Sequence, residues 1–201
     1  MRTLLLTGLL LLCGLPLLAQ SDETLASLNA ARLDRNKTHM YILGGWALGN
    51  IAVSGYLRSQ TSGSQRYFHE MNAAWNLVNL GLAAGGLYGS YTSDPTAFDL
   101  YQTLAEQQKL EKVLLFNLAL NFTYMTAGAY LTERAKRPGL ITPAPDRLKG
   151  YGQSLVLQGG FLLLFDTAQY FVHHSQATPA LRKLLESVQA GPGGVSLSLG
   201  F

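Results

Sequence analysis

Charged residues and cysteine are both scarce in this sequence. Of its 201 residues, 13% are Asp, Glu, Lys or Arg, whereas a typical soluble domain contains about 25%. This scarcity excludes a disordered chain and a charged coiled coil. The net charge of +3 is too small to provide the basic surface that nucleic acids require, so no nucleic acid is expected among the partners. The single cysteine, Cys13, excludes a disulfide framework and a Cys-based zinc site.

The N-terminal segment has the composition of a secretory signal peptide. Arg2 supplies a positive start, residues 4–12 form an apolar run, Pro16 interrupts that run, and the small residue Ala19 precedes the expected cleavage site. The run is too short to span a bilayer comfortably. We predict that residues 1–19 are a signal peptide and that Cys13 leaves with it. An uncleaved leader that acts as an anchor is the alternative.

Four long apolar segments follow a polar, amphipathic N-terminal segment at 20–39. Each is 18 or 19 residues long, close to the roughly 20 residues that cross a bilayer as a helix. Asp166 is the one formally charged residue within them. We therefore predict an all-α fold, a four-helix transmembrane bundle with short amphipathic flanking helices. A short helix and a flexible tail are expected at 174–201, and the membrane domain, 40–173, has its crossings at about 40–57, 73–91, 113–131 and 155–172.

The charges of the connecting segments predict a topology. The first connection contains Arg58 and Arg66 against Glu70, and the third contains five basic residues against two acidic ones. Basic loops favour the cytoplasm, so the first and third connections are expected inside and the second outside. A signal peptide independently places the mature N-terminus outside, and four crossings return the C-terminus there. The expected location is the bacterial inner membrane, with several crossings and both mature termini in the periplasm.

Two glycine patterns predict how the helices pack. Small residues at four-residue spacing allow two helix backbones to approach closely within a bilayer. Such spacing is found in the first and second apolar segments. The residues expected at helix contacts are Gly45, Gly49, Gly81, Gly85 and Gly89.

Polar residues within the apolar segments are the candidate functional residues, because polar groups in lipid must face each other or a wet cavity. At 1.5 Å rise per residue, they fall into three groups by depth. A buried polar cluster near the middle would contain Asn50, Asn79, Asn121 and Asp166. A group on the external side would contain His39, Tyr170 and His173, and a group on the cytoplasmic side would contain His69, Asn72 and Asn76.

These groups have two interpretations. They could line a small polar cavity for a ligand, an ion or a proton, or they could form interhelical hydrogen bonds that hold the bundle together. Asp166 is a functional candidate because an isolated carboxylate in hydrocarbon is costly, although protonation or a bond to a neighbouring Asn would also explain it. His39 and His173 alone do not make a metal or haem motif. No metal site, no cofactor and no catalytic residue is predicted.

Two motifs carry a resemblance to a known family. They are LGGWALGNI at residues 43–51 and HEMNAAWNLVN at residues 69–79. With these motifs the chain resembles an uncharacterised family of small signal-peptide-bearing helical membrane proteins from Bacteroidota, which is described only as a domain of unknown function. The resemblance extends through the fourth apolar segment. It implies no activity, substrate or catalytic residue.

The sequence favours a non-enzymatic membrane protein, either a bundle that binds a lipid or another small ligand, or an accessory subunit. Its expected partners are the lipid bilayer, a lipid or small apolar ligand, and a membrane partner protein or a second copy of the chain. One alternative is a membrane enzyme or carrier that uses the polar cluster around Asp166. Another is a soluble periplasmic helical protein.

Overall fold

The computed structural model describes the backbone of residues 2–141, 143–191 and 194–197, and the side chains of residues 24–141, 143–175, 177 and 179–182. Four long helices follow one another: α1 (Arg2–Gln60), α2 (Gly63–Thr92), α3 (Leu100–Arg134) and α4 (Ala144–Ser187). Helix α1 packs on α2, α3 packs on α4, and α2 joins the two pairs by its contact with α4. The chain is an all-α four-helix bundle, as its apolar segments predict.

Short connections with defined geometry separate the helices. Gly63, at the start of α2, has a φ of 56°, a backbone conformation that other residues rarely adopt. Before α3, Asp94 caps a 3-10 turn at Pro95–Ala97 by accepting a hydrogen bond from the Thr96 amide at 2.8 Å. Asp99 then forms a capping box with Gln102. These polar residues fix the direction in which α3 leaves the connection.

The flanking segments differ from their predicted form. The segment 20–39 is not a separate helix, because α1 continues through it into the first apolar segment. No glycine or proline stands between residues 20 and 43 to interrupt it. At the other end, α4 continues through Pro179, and two antiparallel strands follow it. They are β1 (Val188–Gly191) and β2 (Gly194–Leu197), with Val188 opposite Leu197.

The bundle is polar inside and apolar outside. Among the side chains that the structure describes, fourteen buried ones are polar or charged and eight are apolar, three of them alanine. The described part of the outer surface carries twenty-one exposed large apolar or aromatic side chains. Leu82, Phe122 and Leu164, for example, are 62%, 60% and 74% exposed. A water-soluble helical bundle has the opposite distribution, with its apolar stripe turned towards the core.

Glycines bring helices together at positions other than those with the four-residue pattern. A Cβ atom added to Gly45, Gly49, Gly81, Gly85 or Gly89 would meet no atom of a neighbouring helix within 4 Å. Their expected role in helix packing has no contact within the described part of the chain and stays a prediction. Four-residue spacing identifies a helix face, but it does not tell whether that face meets a neighbouring helix.

The close approaches to a neighbouring helix backbone occur at glycines of α3 and α4. A Cβ at Gly128 would lie 2.5 Å from the carbonyl oxygen of Gly152, and a Cβ at Gly152 would lie 2.5 Å from the carbonyl oxygen of Gly128. Gly159 similarly faces Met125 of α3, and Gly150 faces the α2 backbone at Ser64. The α3–α4 pair therefore depends on side chains being absent from both helices.

By length and composition, one helical stretch among the described residues, Ala144–Arg182, is long and apolar enough to cross a membrane.

Candidate functional site

The largest polar network joins α1, α2 and α4 through Asn72 and Gln158. The Asn72 side-chain amide donates to Asn50 Oδ1 and to Ser54 Oγ, both at 2.8 Å. Asn72 Oδ1 accepts a hydrogen bond of 2.5 Å from Gln158 Nε2. Gln158 Oε1 in turn accepts from Trp46 Nε1 at 3.2 Å. Asn72 and Gln158 are thus the two residues through which the helices are connected.

Three further residues extend this network along α2. Asn79 Nδ2 lies 3.5 Å from Gln158 Oε1 and 3.4 Å from Asn76 Oδ1. Asn76 donates to the carbonyl oxygen of Asn72 at 2.7 Å, and His69 Nδ1 lies 3.3 Å from Ser54 Oγ. Because almost every amide in this group has a partner, the arrangement explains interhelical adhesion without a ligand.

A separate polar pair joins α3 to α4. Asn121 Nδ2 donates to Asp166 Oδ2 at 2.7 Å, and both side chains are buried. The carboxylate of Asp166 is therefore held by an amide and not by a cation. This pair is one of the few polar links between two helices that otherwise meet through glycines and apolar side chains.

A group of basic residues lies near one end of the bundle. We call it the basic cluster, and its members are Arg32, Arg35, His39 and His173. The three α1 residues share one face of that helix at spacings of three and four. The rings of His39 and His173 are 5.2 Å apart between centroids. His173 is fully buried, and Arg32, Arg35 and His39 all act on it electrostatically. Burial lowers the pKa of His39, and the charge of Arg35 lowers that pKa further.

Several buried polar atoms of the basic cluster have no hydrogen-bond partner within the part of the chain that the structure describes. They are Arg32 Nε, His39 Nδ1 and both ring nitrogens of His173. Leaving a buried polar group unpaired costs about 1–3 kcal/mol. This local deficit of acceptors distinguishes the basic cluster from the network around Asn72.

A cleft of about 300 Å³ opens beside the basic cluster. Arg32 lines it together with Leu33 of α1, and Gly86, Leu110 and Val113 contribute further apolar surface from α2 and α3. The polar residues on its wall include Glu106, which forms an ion pair with Lys109 at 3.4 Å. The volume is at the lower limit of typical small-molecule sites.

A fourth polar group closes the opposite end of the bundle, where α1 meets α2 and α4. Glu70 accepts hydrogen bonds from Tyr151 at 2.8 Å and from Arg58 Nη2 at 2.9 Å. These hydrogen bonds hold the pKa of Glu70 below its usual range. The group is a structural clasp between three helices.

The candidate residues form different groups in the structure from those that the sequence suggests. The proposed midplane cluster falls into two parts, because Asn50 and Asn79 belong to the network around Asn72 whereas Asn121 and Asp166 form the separate pair. The proposed cytoplasmic group joins the first of these through Ser54 and Asn72.

In the proposed external group, His39 and His173 lie together, but Tyr170 is stacked on His174 at 5.5 Å. Sequence reasoning missed Gln158, which is fully buried at the centre of the network. Its position eight residues before Asp166 on the same helix face was a signal that could have identified it. It also missed Arg32 and Arg35, which lie outside the apolar segments.

No group of three or more His, Cys, Asp or Glu side chains that could hold a metal ion is found among the described residues. The His39–His173 pair supplies two nitrogens only, and the neighbouring guanidinium groups of Arg32 and Arg35 would repel a cation.

One family model matches residues 42–167 of the chain, and its description is "family of unknown function (DUF6992)". The matched region contains the network around Asn72 and the Asn121–Asp166 pair. The four residues of the basic cluster lie outside it. No curated protein and no solved structure matches the chain.

Proposed function

The chain belongs to the DUF6992 family of unknown function, and from that starting point we propose that it is a membrane-embedded helical bundle that binds a lipid or another small amphiphilic ligand. In this proposal residues 1–19 are a cleaved signal peptide. The four crossings lie at 40–57, 73–91, 113–131 and 155–172, in a bacterial inner membrane with both mature termini in the periplasm. This proposal assigns no catalytic activity to the bundle.

The inverted distribution of polar and apolar side chains carries the membrane part of the proposal. Four helices that bury Asn72, Asn76 and Gln158 while exposing Leu82 and Leu164 would have a surface far more apolar than water tolerates. In a bilayer the same arrangement is favourable, because the outer face meets hydrocarbon and the polar groups satisfy each other inside.

The polar interior also explains why, among the described residues, a single stretch, in α4, is apolar enough to cross by composition. Averaging over consecutive residues of a helix counts the inner asparagines of α2, such as Asn76 and Asn79, together with the outer leucines, such as Leu77 and Leu82. The mean hydropathy of such a helix is low although its outer face is apolar. Only the three-dimensional arrangement separates the two faces.

The ligand part of the proposal is supported by the cleft beside Arg32. Its wall combines apolar side chains, among them Leu110 and Val113, with a charged rim. It therefore suits a molecule with an apolar chain and a polar end. The unpaired buried nitrogens of the neighbouring basic cluster give such a molecule a place to form hydrogen bonds.

Carbonate extraction tests the membrane part. We expect the chain, expressed with its N-terminal segment intact, to stay in the membrane pellet at alkaline pH, together with a known multi-pass control. Release into the supernatant would identify a soluble periplasmic protein and overturn the proposal.

Native mass spectrometry of the detergent-purified chain tests the ligand part. We expect a co-purified lipid or lipid-like mass that is lost when Val113 at the cleft wall is replaced by Trp, which would fill the cleft. The control is Val53→Trp, because Val53 is exposed on the outer face of α1. Equal retention of the molecule by both variants would contradict binding in the cleft.

A further inference from the structure

We infer that the basic cluster is an oxyanion site, which takes the phosphate or carboxylate head group of an amphiphile whose chain lies in the adjacent cleft. The inference rests on the proposed ligand binding and deepens it by assigning the chemical class of the ligand. It concerns four residues outside the part of the chain that the family model matches.

The hydrogen-bonding capacity of the cluster determines the sign of the ligand charge. Arginine side chains only donate hydrogen bonds, and each imidazole can donate at least one. Arg32 Nε, His39 Nδ1 and both ring nitrogens of His173 lack a partner among the described residues. An oxyanion supplies several acceptor lone pairs at one point and so matches this set of donors, whereas a cation would meet guanidinium charges.

The burial of the cluster makes the unpaired atoms significant. His173 is 0% exposed, so water from the surface does not reach its ring. His39, Arg32 and Arg35 are half-buried, and all three act on His173. A ligand entering past Arg32 would therefore meet progressively less solvent, where each charge-assisted hydrogen bond is stronger than at a surface.

The charges that act on His173 are positive. Glu106 acts electrostatically on Arg32, but it also pairs with Lys109 at 3.4 Å. Asp166, two helical turns before His173 on α4, is bonded to Asn121. The groups that act on His173 are His39, Arg35 and Arg32, and all three lower the pKa of its ring, so the potential at this ring favours an anion over a cation.

Arg32 connects the cluster with the cleft, because it belongs to both. With the head group at the cluster, an alkyl chain would run along Leu33, Leu110 and Val113. The basic cluster and the apolar wall of the cleft are thus next to each other, as the head group and the chain are in an amphiphilic molecule. Phosphatidic acid, a lysophospholipid and a fatty acid all have this chemistry.

Three probes separate the head group from the chain: dodecyl phosphate, its uncharged analogue dodecanol, and inorganic phosphate. Binding is measured by titration calorimetry on the full chain in a neutral detergent. We expect dodecyl phosphate to bind at least about tenfold more tightly than dodecanol, since one hydrogen bond to a charged group contributes that factor. Equal affinity for the two would overturn the oxyanion site. Equal affinity for dodecyl phosphate and inorganic phosphate would overturn the amphiphile in favour of a free oxyanion.

Matched variants locate the site. We expect Arg32→Gln and His39→Gln each to weaken dodecyl phosphate binding about tenfold or more while dodecanol binding stays unchanged. Both residues are half-buried, so both variants should fold, which the melting temperature checks. Arg66→Gln is the control, because it removes the same charge from an exposed position on α2 at the other end of the bundle. An equal loss in Arg66→Gln would contradict the site.

This experiment is independent of the membrane proposal. A chain that stays in the carbonate pellet but does not distinguish dodecyl phosphate from dodecanol would refute the oxyanion site alone. Release of the chain by carbonate, in contrast, would refute membrane embedding whatever the probes show.

Discussion

Individual polar residues have different roles in this bundle, and their hydrogen bonds distinguish them. Gln158 forms hydrogen bonds to three side chains of α1 and α2. These bonds use its side-chain amide within the protein, so its burial is explained without a ligand. His173 is as deeply buried, yet its two ring nitrogens have no hydrogen-bond partner among the described residues. Burial alone would rank the two residues equally, so the contrast in partners is what separates a structural residue from a binding candidate.

Gln158 gives the first prediction at the residue scale. Gln158→Leu removes three interhelical hydrogen bonds, each contributing about 0.6 kcal/mol on average in a membrane protein. We expect the free energy of unfolding in detergent to fall by about 2 kcal/mol. Thr126→Val is the control, because the hydroxyl of Thr126 is exposed and bonds the carbonyl of its own helix at Phe122. Equal stabilities of the two variants would show that the network contributes nothing.

Asp166 gives a second prediction, which separates a structural from a functional carboxylate. In Asp166→Asn the new side-chain oxygen can still accept the hydrogen bond from Asn121, so we expect the melting temperature to change little. Asp166→Leu leaves the Asn121 amide unpaired and should lower the stability by about 1–3 kcal/mol. If Asp166→Asn abolished ligand binding in a folded protein, the carboxylate would act in function, as a carrier or enzyme requires.

Glu70 gives a pH-dependent prediction. Its pKa is lowered by hydrogen bonds from Tyr151 and Arg58, so its contribution to stability is complete above its ordinary pKa and disappears as the pH falls through the lower pKa of the folded protein. We expect thermal melts from pH 7 to pH 3 to show a loss of stability at the acidic end that is smaller in Glu70→Gln. Parallel curves for the two proteins would contradict this role.

At the scale of the elements, the helices were predictable from the sequence but their orientation was not. The four apolar segments correspond to parts of α1, α2, α3 and α4, because long uncharged runs leave few other folds. The outward-facing glycines, such as Gly85, and the inward-facing Gly128 have the same four-residue spacing to another small residue. Their difference depends on the rotation of each helix, which results from contacts along the entire bundle.

This difference between glycines is itself testable. Gly128→Ala places a Cβ 2.5 Å from the Gly152 carbonyl oxygen, a backbone atom that cannot move aside, and overpacking of this kind costs about 1–3 kcal/mol. Gly85→Ala meets nothing within 4 Å, and its better helix propensity should raise stability by up to about 1 kcal/mol. Thermal unfolding in detergent measures both. The opposite order would mean that α3 and α4 do not meet at Gly128.

The basic cluster was only half visible in the sequence. His39 and His173 were candidates because they lie at the ends of apolar segments on the same predicted side of the membrane. Arg32 and Arg35 were part of an ordinary polar helix in the sequence, and they became relevant because α1 continues through residues 20–39 and places them beside α4. A contact between distant segments cannot be read from the spacing within either one.

At the scale of the whole molecule, the low charge content acquires a specific meaning. The few charged side chains are concentrated at the two ends of the bundle, where Glu70 and Arg58 close one end and Arg32 and Arg35 lie near the other. Between the ends, the described outer surface is apolar, and Asp166 is the one charged side chain among the buried residues that the structure describes, apart from the histidine His173. This distribution supports the proposed position of the bundle in a bilayer.

The predicted topology can be tested separately from membrane insertion. Reporter fusions after residues 60, 100 and 142 should place the first and third connections in the cytoplasm and the second in the periplasm, because basic connections remain inside. A periplasmic signal from the fusion at residue 142 would contradict this topology.

The central claim is that the outer face of the bundle contacts lipid. Spin labels at Leu82→Cys, Phe122→Cys and Leu164→Cys, with Cys13→Ser and the chain reconstituted into vesicles, test it through relaxation by oxygen and by a water-soluble nickel chelate. Arg66→Cys serves as the solvent-exposed reference. We predict that the three labels are relaxed strongly by oxygen and hardly by nickel, whereas the label at position 66 is relaxed by nickel. Nickel accessibility of all three labels equal to that of position 66 would contradict the membrane-embedded bundle.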